Sequence, residues 1–303
     1  MSQPIPRTRL PEGATARLRD WGADSEHGVL EDVLLGPIDH YAWRPGNAVA
    51  RETLRREEPF DPEVAAGQYR EMVQAYEEAG VRVHVLEARR ELPSQVYGRD
   101  SSVMTPFGAI IAQMYSPWRR GEFLPVLDFY LGQDIPIYDL VTAGTFEGGD
   151  FMMIEPGFAL LGMSGERTSP EGAAQVKAWL EAEGWEILLV PFDPFYLHLD
   201  LMCVMLAEKL AAVCTEIMDE TAMAALRARG VELIDVPVRQ TMQLGCNVMA
   251  LGHDRVLLPR HSVTLKERCR AHGLTCIDPD MSMITKGGGG AHCIAQPLRR
   301  MPA

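Results

Sequence analysis

The residues best suited to chemistry lie near the end of the chain, in Gly287-Gly288-Gly289-Gly290-Ala291-His292-Cys293. Four consecutive glycines cost backbone entropy on folding. A chain carries them where its backbone passes close to another group or turns through positive φ. A thiol at the end of such a turn is a candidate nucleophile, although a buried structural cysteine behind a surface loop would read the same way. To attack, Cys293 needs its thiolate, and a protonated imidazole nearby lowers a thiol pKa. His198, in Leu197-His198-Leu199-Asp200, is the best partner. On a strand, Asp200 would share the face of His198, two residues away, whereas His292 would point to the face opposite Cys293.

Carboxylates accompany the pair. Asp100 follows Tyr97-Gly98-Arg99, and Glu147 and Asp150 lie in Phe146-Glu147-Gly148-Gly149-Asp150. Acidic residues beside glycines serve as turn formers, Asp especially. At the mouth of an apolar strand, however, Glu147 carries a charge that needs a partner once buried. Several carboxylates around a thiol and an imidazole imply a cationic ligand, and a planar guanidinium with five donors suits paired carboxylates. Arg119, Arg120 and Arg167 are either solvated surface charges or a clamp for a substrate carboxylate. A zinc site made of His198, Asp200, His292 and Cys293 is the competing arrangement. Its spacing matches no standard zinc pattern, and two strand neighbours cannot face one ion.

The elements that must position these residues repeat along the chain. Residues 28–36 read as a first strand. Helical apolar spacing over 62–79, capped by Asp61, ends at Gly80 before a strand at 81–86. The pattern recurs with helices over 122–131, 170–183, 219–229 and 263–272, each followed by a glycine and a strand. Gly80, Gly132, Gly184, Gly230 and Gly273 suit the left-handed position that closes a helix. Their separations of 52, 52, 46 and 43 residues point to repeated supersecondary units. Further β-like runs lie at 102–114, 151–163, 201–213 and 247–258. Asp100, Glu147, His198 and Cys293 fall 20, 15, 14 and 20 residues past their glycines. In a closed ring of five modules these offsets would bring all four toward one axis.

With 47% hydrophobic and 23% charged residues, the 303-residue chain has an ordinary globular composition and can bury a large core. A net charge of −13 without any Lys/Arg-rich run argues against nucleic acid and anionic membranes as partners. A local arginine pocket on such a chain can still receive an anionic group. Six dispersed cysteines without a CxxC pair are expected as reduced thiols of a cytoplasmic protein. Met1 to Gly13 lacks the apolar core of a signal peptide, and no run of about 18 apolar residues could span a membrane. Residues 1–27 read as an N-terminal arm or flap, with Ser25-Glu26-His27-Gly28 a candidate piece of lid, and 28–303 as a single catalytic domain. A homo-oligomer is compatible with this sequence.

GRDSS at 98–102, FEGGD at 146–150, GERTS at 165–169, LHLD at 197–200 and GGGGAHC at 287–293 together resemble the guanidine-modifying superfamily. That group holds arginine deiminases, dimethylarginine dimethylaminohydrolases and amidinotransferases, and the resemblance runs from about Gly28 to Arg300. It implies the pentein fold, a pseudo-fivefold α/β propeller of five ββαβ-type blades. It also implies Cys293 as nucleophile toward the guanidinium carbon and His198 as the acid and base. Glu147, Asp100 and Asp200 would hold the guanidinium, and Arg119 and Arg167 the substrate's carboxylate, with Arg120 a stand-in. No metal or organic cofactor is implied. Asp200 resembles deiminases and amidinotransferases more than the dimethylarginine enzymes, while Glu147 resembles the hydrolases. The chain is short for an arginine deiminase and lacks that enzyme's helical insertion. The expectation is a hydrolase of arginine or a related guanidino acid, with amidinotransfer to an amine as the alternative. A catalytically silent guanidine-binding module would be expected to lack the nucleophile or the base, and both are present.

Overall fold

A computed structural model describes residues 21–302; the expected arm lies mostly outside these, in residues 1–20. The strands β1 (Val29–Leu35) and β2 (Arg82–Val85) pair in parallel. Next come β3 (Ser102–Thr105), β4 (Gly108–Ile111) and β5 (Ile137–Leu140), followed by β6 (Phe151–Glu155), β7 (Phe158–Met163) and β8 (Glu186–Pro191). A further three are β9 (Cys203–Ala207), β10 (Leu210–Val213) and β11 (Glu232–Asp235). The last are β12 (Met249–Gly252), β13 (Arg255–Leu257), β14 (Thr275–Ile277) and β15 (Ala295–Met301). They form five three-stranded sheets with one design: the first strand is antiparallel to the middle one, and the third is parallel to it. In one sheet the first strand is β15, so the end of the chain closes on its beginning. Each long β-like run of the sequence proves to be a hairpin. Phe151–Met163, for instance, splits at Pro156-Gly157, where Gly157 has φ +90°.

A parallel crossover requires an intervening segment, and here each carries a helix. Helix Pro62–Glu78 begins at Asp61, whose carboxylate accepts from the Glu63 and Val64 N–H groups. It buries Ala65, Tyr69, Met72 and Tyr76 on one stripe. Asp219 and Ser169 cap helices Glu220–Ala228 and Pro170–Ala182 in the same way. Gly80, Gly184, Gly230 and Gly273 take φ between +76° and +84°, the left-handed exit expected of them. Gly132 does not. It is the last residue of helix Phe123–Gly132, and Asp134 makes the left-handed turn at φ 53°. Asp visits that region more readily than most side chains, so the chain turns two residues late. Helix Ala48–Arg55 went unforeseen because it buries only Ala50 and Thr53.

Neighbouring sheets touch mostly through their first strands or the turns that precede them, and at one seam through a middle strand. Among these contacts β15 lies by β3, β6 by the turn leading into β9, β9 by β12, and β12 by β1. β3, β4, β10 and β12 are buried at every position. Residues 21–27 are tied to the sheets by backbone bonds. The Gly22 N–H bonds to the Leu298 carbonyl, that of Arg300 to Gly22, and that of Glu26 to Met153. Ser25, Glu26 and His27 are buried, so this segment is part of the interior. All six cysteines are unbridged. Among the described residues no helix is long and apolar enough to cross a membrane.

Candidate active site

Every first strand is entered through a tight turn, and those turns hold the polar residues. Gly98–Ser101 precedes β3 and carries Asp100; Gly148–Asp150 precedes β6 and follows Glu147. Leu199–Leu201 precedes β9, follows His198 and contains Asp200. A turn closed by the Asn247 N–H on the Leu244 carbonyl precedes β12, and the helical turn Ala291–Ile294 precedes β15 with Cys293. Asn247, not among the candidates from sequence, stands 17 residues past Gly230, within the range of the other offsets.

Two local expectations change. His198 and Asp200 flank and occupy a 3₁₀ turn rather than one face of a strand. His292 and Cys293 sit on a helical turn, so they do not point to opposite faces; both reach Asp200 Oδ2, His292 Nδ1 at 2.9 Å and Cys293 Sγ at 3.3 Å. Asn247 holds the turn together. Its Oδ1 accepts the N–H groups of Gly290, His292 and Cys293 at 3.0, 3.0 and 3.1 Å. Its Nδ2 donates to Cys293 Sγ at 3.2 Å. The glycine run is explained by close approach. A Cβ on Gly287 would lie 1.9 Å from Tyr41 Oη, and one on Gly289 would lie 2.3 Å from Tyr97 Cε1.

Electrostatics divide the thiol from the imidazole. Burial, with Asp200 and Asp100 alongside, pushes the Cys293 thiol well above its ordinary range. Burial works against charge on His198 too, but Asp100 and Glu147 outweigh it and raise its pKa to about 9. Glu147 Oε2 is 2.8 Å from His198 Nε2, and Asp100 Oδ1 is 3.6 Å from Nδ1. Glu147 is fully buried; the cations of Arg167, His198 and Arg119 overcome that burial and hold its carboxyl below the usual range. Burial likewise works against Asp200, and His292 overcomes it. Asp150 is different: burial raises it to about 7, and it ties neighbouring turns by accepting from Thr168 Oγ1 and the Leu199 N–H.

The arginines are folded inward. Arg119 Nη1 is 2.7 Å from Asp100 Oδ2, and its Nη2 is 2.7 Å from the buried Glu122, which the sequence had not singled out. Arg167 places Nη1 3.3 Å from Glu147 Oε2 and Nη2 on the Gly46 carbonyl. Both guanidinium groups therefore rest on carboxylates assigned to a substrate cation, while Arg120 is exposed. Asp100 Oδ1, Asp200 Oδ1 and His198 Nδ1 are buried without a hydrogen-bond partner. Asp100, His198 and Cys293 line a cavity of ≈ 30 Å³ together with Tyr41, Trp43 and Asn47. At about 10–15 Å³ per water it has room for about two waters, less than a guanidino acid fills. Asp100, Glu147 and His198 each offer a ligand atom within 4.8 Å of the others, a set able to hold a cation that shares only His198 with the zinc candidates above.

The family model for N,N dimethylarginine dimethylhydrolase, eukaryotic, matches residues 43–300. The chain belongs to this family. It is similar to an uncharacterized protein of Bacillus subtilis, YkgA, at 28% identity over 91% of this chain and 94% of that one. It is 27% identical to the N(G),N(G)-dimethylarginine dimethylaminohydrolase of Mycobacterium tuberculosis, over 78% of this chain and 76% of the relative. Among solved structures, the amidinotransferase SxtG of Microseira wollei superposes with a TM-score of 0.78 and 17% identity, covering 93% of this chain and 98% of that one. The family and these relatives carry the superfamily resemblance and the α/β fold.

Proposed function

We propose that the protein is a cysteine-dependent hydrolase of the guanidinium group of arginine or a related guanidino acid. One observation carries this reading: Asp100, with an unpartnered carboxylate oxygen, and a raised-pKa imidazole line the same small cavity as the Cys293 thiol, while Asp200, bonded to that thiol through Oδ2, keeps Oδ1 unpartnered. A guanidinium donates to both oxygens and compensates the two charges that hold the thiol protonated. The ligand so promotes its own nucleophile. The thiol then releases its proton to cavity water, the thiolate sulfur attacks the guanidinium carbon, and the imidazolium of His198 gives its proton to the departing amine. An amidino-thioether remains on Cys293. His198, now neutral, takes a proton from water, which adds to the same carbon; sulfur leaves, and a ureido product forms. In this reading the incoming cation takes the places of Arg119 and Arg167 on Asp100 and Glu147. The freed arginines then bind the substrate's carboxylate. The five like sheets, each touching the next, act as blades of one ring whose turns converge on the cavity.

The family's description names a dimethylated arginine, whereas Asp200 Oδ1 favours a nitrogen that still carries hydrogen. Amidinotransfer is the second reading, because the same thioether serves an amine as well as water. Mass spectrometry of products decides among these. The protein is incubated with arginine and with N,N-dimethylarginine, each with and without glycine. A ureido product independent of glycine, absent with Cys293→Ala, is expected. Product formed only with glycine would make the protein a transferase, and no product with either substrate would overturn the assignment.

A further inference from the structure

The mechanism above leaves His292 unused, although it is 2% exposed and touches the site directly. Its two ring nitrogens face two carboxylates. Nδ1 is 2.9 Å from Asp200 Oδ2, and Nε2 is 3.4 Å from Glu26 Oε2. Glu26 Oε1 in turn receives Arg99 Nη2 at 2.6 Å. Arg99, 1% exposed, is pinned by the Gly148 and Phe151 carbonyls. Burial alone would neutralise Glu26, but Arg99 and His292 hold its carboxyl below the ordinary range. The row Arg99–Glu26–His292–Asp200 therefore links the segment before β1 to the turns before β3, β6, β9 and β15.

A buried ionic row is weak evidence for stability, because desolvating its charges offsets most of their attraction. What this row does achieve is orientation. The side-chain partners of the Asp200 carboxylate are His292 and the Cys293 thiol, both on Oδ2, and Oδ1 has none. A carboxylate torsion is soft, so without His292 little fixes which oxygen stays beside the thiol and which stays unpartnered.

We infer that His292 is a positioning residue: anchored by Glu26 and Arg99, it fixes the Asp200 carboxylate with Oδ2 beside the thiol and Oδ1 free for the guanidinium. This rests on the reading of Asp200 as a guanidinium ligand. It gives a function to the residue immediately before the nucleophile and to a glutamate from the start of the chain.

Side-chain amides separate this role from mere packing. Asn at 292 places an amide nitrogen near Nδ1 and keeps the donor to Asp200; Gln reaches the place of Nε2 and loses it. With arginine as substrate, His292→Gln is expected to raise KM about tenfold or more, the effect of one lost hydrogen bond to a charged group. His292→Asn should remain within about threefold of the parent, by the same principle. Asp200→Asn should raise KM as well, and the double variant Asp200→Asn/His292→Gln should be no worse than Asp200→Asn alone. Equal losses for Asn and Gln, or losses that add in the double variant, overturn the inference. A parent-like KM for Asp200→Asn would instead sink the reading of Asp200 itself. If His292→Gln does not fold, Glu26→Gln carries the test, with a rise in KM of about threefold expected and an unchanged KM overturning the inference. Should the parent not turn over arginine, alkylation of Cys293 by iodoacetamide reads the same geometry. A rate altered by His292→Gln and kept by His292→Asn supports the inference, and equal rates in all three overturn it.

Discussion

Glu147→Gln probes the electrostatic heart of the site. In the parent, burial disfavours charge on His198, yet Asp100 and Glu147 raise its pKa from an ordinary 6.5 to about 9. The amide keeps an acceptor near Nε2 and removes the charge. A counter-ion at this distance shifts a pKa by about 1–3 units, and Asp100 remains, so His198 should titrate about one to two units lower. The sign for stability follows from the direction of the shift. A group whose pKa is raised on folding contributes its full stabilisation below the unfolded value. It loses that contribution as pH rises through the folded value. For His198 the window is from 6.5 to about 9. The difference corresponds to about 3 kcal/mol at 1.36 kcal/mol per pH unit, and roughly half of it should vanish in the variant. NMR titration of the His198 ring, assigned against His198→Ala, gives the pKa directly. Urea unfolding at pH 6.5 and 9.5 gives the stability difference, with parent and variant compared so that other titrating groups cancel. In turnover, the alkaline limb governed by the imidazolium should move down with the pKa. A ring that still titrates at about 9 in Glu147→Gln would refute the assignment of Glu147 as a principal source of the shift.

Asn247→Ala leaves the N–H groups of Gly290, His292 and Cys293 without their shared acceptor. At about 1–3 kcal/mol per unsatisfied buried group, the loss in chemical unfolding should reach about 3 kcal/mol or more, with turnover abolished. Gly289→Ala drives a methyl against Tyr97, 2.3 Å from Cε1, and should cost about 1–3 kcal/mol by overpacking. Gly132→Ala should do the opposite. Its Cβ meets nothing within 4 Å and the residue is helical, so a gain of about 0.5–1 kcal/mol is expected by thermal unfolding.

Much of the architecture was legible because its signals are local. A helix cap such as Asp61 acts on N–H groups two or three residues away, and glycine exits such as Gly184 obey backbone sterics. Gly132 misled for the same reason: a neighbouring aspartate can do a glycine's work, and composition alone does not say which residue turns. Glu122 and Asn247 were not legible as site residues. A glutamate before a helix and an asparagine before a strand have many ordinary uses, and only their partners distinguish them.

By itself the sequence determined the kinds of group available and the repeat that carries them: a thiol, an imidazole and carboxylates, each set shortly before the first strand of a module. Tertiary structure alone decided how those charges are shared. Arg119 and Arg167 lie on Asp100 and Glu147, and Glu26 reaches His292 across 266 residues. Charge pairing in a buried site depends on distance and desolvation, neither of which has any fixed relation to separation along the chain.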